Sequence, residues 1–80
     1  MFTLKQIEIC LDRHFSNQKP LKAKWQARWH KENNNLLLLF HYQHLVLAYD
    51  VSKKTIEHEW WEVQADKRGL DAAKYYLQNM

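Results

Sequence analysis

Leu36-Leu37-Leu38-Leu39-Phe40-His41-Tyr42-Gln43-His44-Leu45-Val46-Leu47 is the densest apolar stretch of the chain, and its threading decides the fold. It is too short, and too often interrupted by His and Gln, to span a bilayer, which takes about 20 mostly apolar residues. Aliphatic and aromatic side chains without Gly or Pro suit a strand through the centre of a sheet. Two threadings compete. In one, a single strand from Leu36 to Tyr49 pairs along its length with the strand before it. In the other, the chain turns at Gln43-His44 and forms two short strands. A two-residue hairpin prefers Asn-Gly or other Gly-containing pairs, which Gln-His does not supply. One strand, bulged near Tyr42–His44, is therefore the expectation.

The flanking segments are arranged to cover that strand. Upstream, Leu21 to Lys31 alternates: Lys22, Lys24, Gln26, Arg28 and His30 point one way, and Ala23, Trp25, Ala27 and Trp29 the other. Period-two alternation with Trp predicts a half-buried strand. Glu32-Asn33-Asn34-Asn35 follows, and Asn tolerates the left-handed backbone that hairpin loops use. Further upstream, Phe2 to Phe15 predicts a helix. Thr3 and Gln6 have the spacing of a capping box, Phe2 and Ile7 that of a hydrophobic staple, and Leu4, Ile7, Leu11, His14 and Phe15 share one face beside Cys10. Pro20 lies beyond its end. Downstream, Asp50 to Lys54 is a polar turn and Thr55 to Gln64 the next strand, with Ile56, His58 and Trp60 on one face and Glu57, Glu59 and Trp61 on the other. Asp66 caps a last helix from Lys67 to Gln78. Gly69 in its first turn costs about 1 kcal/mol relative to Ala. The expected fold is α+β: residues 1–80 form one compact two-layer α-β-β-β-α domain, a three-stranded antiparallel sheet with both helices on one face.

Composition narrows the class. Hydrophobic residues make up 46% and charged residues 26%, an ordinary globular balance, and four Trp, four Tyr and three Phe supply bulk for a small core. The single Cys10 excludes an internal disulfide framework and fits a reducing compartment. No secretory signal is visible, so the expectation is a cytoplasmic protein without a membrane segment. A net charge of +3 permits an anionic partner without demanding one.

Three constellations bear on function. Lys22, Lys24, Arg28 and His30 form a cationic row about 6.6–6.8 Å apart along a strand, able to neutralise phosphates; the plainer reading is a solvated sheet face or an edge strand protected by Lys. Lys67 and Arg68 open the last helix, where a docked phosphate would offset their conflict with the helix dipole. With Ala72-Ala73 behind them and the helix–three strands–helix order, these residues resemble double-stranded RNA-binding domains in topology. That resemblance implies a nucleic-acid contact through Lys67 and Arg68. The loop Glu32-Asn33-Asn34-Asn35 lacks the Gly-Pro and His of that family, and no Gly-rich turn precedes Lys67. Finally, Trp29, Tyr42 and Trp61 stand out among aromatics too numerous for one covered face. An uncovered aromatic patch more commonly docks a protein or a second copy than stacks bases.

Catalysis finds little support. Cys10 and His14 lie four residues apart on the buried helix face, where a packing Cys is the simpler reading. In a single regular strand His41 and His44 point to opposite faces, and no cluster has zinc spacing. The expectation is a small non-enzymatic binding or regulatory protein without metal or other cofactor. It would act through an aromatic-rich sheet face towards a protein partner or itself, with nucleic-acid binding as the alternative.

Overall fold

The computed structural model describes residues 3–18 and 24–79. Helix α1 (Thr3–Phe15) is followed by β1 (Trp25–His30), β2 (Asn33–His41), β3 (His44–Asp50), β4 (Thr55–Glu59) and α2 (Gln64–Gln78). The four strands form one antiparallel sheet in the order β1-β2-β3-β4. The fold class is α+β as expected, but the sheet has a fourth strand.

The extra strand comes from the central apolar run, which does not continue as one strand. It folds back at Tyr42-Gln43, with Tyr42 at φ 56° and His41 paired to His44 across the turn. The left-handed backbone costs a non-glycine residue about 1–2 kcal/mol. Folding back offsets that cost, because Leu37 and Leu39 then pair with Tyr49 and Leu47, and all four are buried. The irregularity expected near Tyr42–His44 is the turn itself; the register shifts one step further on, at Leu39/Phe40.

Side-chain alternation then sets the layers. Leu37, Leu39, Leu47, Tyr49, Trp25 and Ala27 face the helices and join Ile7, Leu11, Leu70, Ala73 and Leu77 in one core. On α1 the predicted stripe holds at Ile7 and Leu11, both fully buried, while Leu4 remains 39% exposed. The Phe2 part of the expected staple, and Leu21 to Ala23 of the expected strand, lie outside the described residues.

Two further boundaries move. The strand expected over Thr55–Gln64 ends at Glu59, and a register shift beside Ile56 breaks its alternation, so Ile56 pairs with Tyr49 while His58 pairs with Ala48. Helix α2 begins at Gln64, three residues before the expected start, with Val63 as an extended N-cap residue. Asp66 is thus inside the first turn, not at the cap. Gly69, costly by propensity, has a packing reason: a Cβ there would come within 1.8 Å of the Trp25 indole.

Candidate functional site

The β2–β3 turn delivers His41 and His44 to the same face, because residues directly opposite each other across an antiparallel pair project together. The opposite-face placement read from a single strand is therefore corrected. Both rings meet Asp66 at the start of α2. His41 Nδ1 lies 2.5 Å from Asp66 Oδ1, and His44 Nδ1 lies 3.1 Å from Oδ2 and 3.3 Å from Oδ1. The backbone N–H groups of Glu62 and Val63 each donate to Oδ2 at 3.2 Å. Asp66 is fully buried. Burial pushes its carboxyl up, but the bonds from His41, Val63, Glu62 and His44 outweigh it and hold the pKa down at about 2. An ionised carboxylate only accepts, so both rings present Nδ1–H to it. That leaves each Nε2 free of this contact, and His44 Nε2 stands 3.9 Å from Glu62 Oε2.

Aromatic rings hold the cluster in place. Trp25 stacks on His41 at 4.2 Å between centroids and 20° between planes, and its far edge lies against Gly69. Trp60 meets His44 edge-on at 5.3 Å. The buried His41 is thus clamped between elements, while the His44 side chain keeps 39% exposure at the rim. Among the described residues, His41, His44 and Asp66 form the group whose donor atoms converge for a metal ion, all within 4.8 Å of one another.

The residues singled out from the sequence are distributed over several surfaces. Tyr42 is 70% exposed at the tip of the β2–β3 turn. Trp61 is exposed after β4, with the Lys67 ammonium 5.9 Å from its ring. Trp29 lies on the helix side, its ring 4.5 Å from His14. Of the cations, Lys24 is exposed just before β1 and Lys22 lies outside the described residues. Arg28 sits on the helix-free face, 5.2 Å over the Phe40 ring. His30 ends β1, its Nδ1 accepting the Glu32 N–H at 3.1 Å. Lys67 and Arg68 occupy the first turn of α2, and Lys67 pairs with Asp71 at 2.9 Å. Asp66 is the functional candidate that sequence reasoning missed. A turn placed between His41 and His44 would have exposed the His-x-x-His spacing to which it belongs.

The helix-free face has a regular composition. Leu36, Leu38 and Phe40 of β2 alternate with the buried Leu37 and Leu39 and remain partly exposed. Leu45 pairs with Phe40, and Ala48 with Leu38, so both join this face from β3. Arg28 flanks it from β1. On β4, Thr55 Oγ1 donates to Glu57 Oε2 at 2.9 Å, which draws that carboxylate towards the same side. Among the described residues, no helix is long and apolar enough to cross a membrane.

No protein-family model, curated protein or solved structure matches the chain.

Proposed function

We propose that this chain is a small non-enzymatic binding domain that acts through the helix-free face of its sheet, and that the occupant of that face is a second copy of the chain. The observation that carries the reading is the order of side chains across the face. A cation, Arg28, lies on edge strand β1; Leu36, Leu38, Phe40, Leu45 and Ala48 make the apolar part of the two central strands, with Asp50 at one end; edge strand β4 carries His58 in the row of Arg28 and, beside it, the anion Glu57. A two-fold axis running along the strands lays β2 over the partner's β3 and β1 over its β4. Apolar then meets apolar, and Arg28 reaches the partner's β4 at His58 and the adjoining Glu57. An axis across the strands would instead lay β1 on β1 and set Arg28 against its own copy. The pattern is self-complementary in the way an isologous interface requires, and face-to-face sheets pack about 10 Å apart over such side chains. Burial of the aliphatic centre supplies the affinity, and the edge charges select the orientation.

Sedimentation velocity from low micromolar to high micromolar concentration tests the reading. A dimer is expected whose population falls on dilution, and Leu38→Glu is expected to sediment as a monomer with an unchanged circular dichroism spectrum. A wild-type chain that stays monomeric throughout removes the self-association reading. Nucleic-acid binding through Lys24, Arg28, Lys67 and Arg68 draws less support, because Arg28 and Lys67 lie in different layers and both already have partners. Fluorescence anisotropy with RNA and DNA at two salt concentrations separates that alternative, which demands a steep salt dependence.

A further inference from the structure

We infer that His41, His44 and Asp66 form a binding site for one divalent first-row transition-metal ion. Two imidazole nitrogens and a carboxylate oxygen match the preferences of zinc and its neighbours. The donors come from two separate elements, the β2–β3 turn and the start of α2, and converge within 4.8 Å. Asp66 contributes a carboxylate that is fully buried beside the two ring donors, where a cation is the natural counter-charge. Lys67, next to Asp66 in the chain, is tied to Asp71 and lies over Trp61.

Binding replaces the Nδ1 protons now held between rings and carboxylate. Donors about 2.0–2.2 Å from a tetrahedral ion stand about 3.3–3.6 Å apart. The 2.5 Å contact between His41 and Asp66 therefore opens by about 1 Å, while His44 already stands 3.1–3.3 Å from the carboxylate oxygens. His41 needs no positioning by the ion, because Trp25 already fixes its ring. As each Nδ1 takes the ion, the single proton of its ring moves to Nε2, so the rings remain neutral ligands and release no proton. The site lies on the helix side of the sheet and is independent of the self-association reading.

Titration of metal-free chain with Co²⁺, followed by visible absorption and by displacement with Zn²⁺, tests the inference. One ion per chain is expected, with d–d bands of nitrogen–oxygen ligation, a higher melting temperature in the metal's presence, and at least about tenfold weaker binding in His44→Gln, the lower bound for losing even a supporting partner. His44 lies at the rim, so this variant is expected to keep the wild-type circular dichroism spectrum. His58→Gln, on the other face, is expected to bind as wild type. Absence of Co²⁺ and Zn²⁺ uptake, uptake equal in wild type and His44→Gln, or equal loss in His58→Gln would each overturn it.

Discussion

Asp66 and its four hydrogen-bond donors illustrate how one residue can join two elements. The carboxylate is fully buried, and it ties the β2–β3 turn to the start of α2 through two rings and two backbone N–H groups. Replacing it by Ala leaves the buried His41 ring and three part-buried donors without their acceptor, so Asp66→Ala is expected to lose about 1–3 kcal/mol in urea unfolding. A loss below about 1 kcal/mol would mean that water reaches the site and satisfies the donors. His14 behaves in the opposite sense. Its Nε2 is buried without a partner, its ring lies against Trp29 and Phe15, and burial lowers its pKa, against a smaller opposing contribution from the Ala27 backbone. The unfolded chain then takes up a proton near pH 6.5 that the folded ring refuses until lower pH. Stability from this site is fully present above about pH 6.5 and is lost as the pH falls through the folded-state value. Urea midpoints are expected to drop from pH 7 to pH 5, and the drop to shrink in His14→Phe; an equal drop in both would assign the effect to other histidines.

At the scale of elements, what was legible followed from periodicity and what was not followed from single residues. Helix α1 and the alternation of Trp25, Ala27 and Arg28 were readable because burial on one face imposes a period that composition displays. The β2–β3 turn was not, because Tyr42-Gln43 contains none of the residues that announce a hairpin. The placement of Asp66 failed for a related reason: an Asp ahead of an apolar stripe is the common signature of a cap, and nothing local says that two imidazoles will arrive from elsewhere. Two substitutions probe these points. Tyr42 has φ 56° and little packing to lose, so Tyr42→Gly is expected to stabilise the chain by up to about 1 kcal/mol. In an unbroken strand the same change would destabilise it. Gly69→Ala favours the helix by about 1 kcal/mol from propensity alone, yet its Cβ would strike the Trp25 ring. Net destabilisation of about 1–3 kcal/mol is expected, as for other overpacked sites, together with a perturbed Trp fluorescence spectrum. A stabilised Gly69→Ala would mean that Trp25 does not press on α2.

Across the whole molecule, the two faces of one sheet differ in composition and cover. The covered face seats α1 and α2 and, at one end, brings His41 and His44 to Asp66. The helix-free face bears an aliphatic centre with a cation on one edge strand and an anion on the other. Apolar residues on both sides of the central run implied one face without a helix and an aromatic character for it; the face is mainly aliphatic. The exposed rings Tyr42, Trp60 and Trp61 instead lie in the connections, because the turn and the early end of β4 remove them from the strands. In the dimer we propose, a second copy covers this face with its strands running along the two-fold axis. Dimer dissociation constants measured by sedimentation for Arg28→Glu, Glu57→Arg and the double variant test it most directly. Each single reversal sets like charges together and is expected to weaken the dimer, while the double variant restores wild-type affinity. Singles without effect, or a double variant no tighter than the singles, would contradict the proposed pairing.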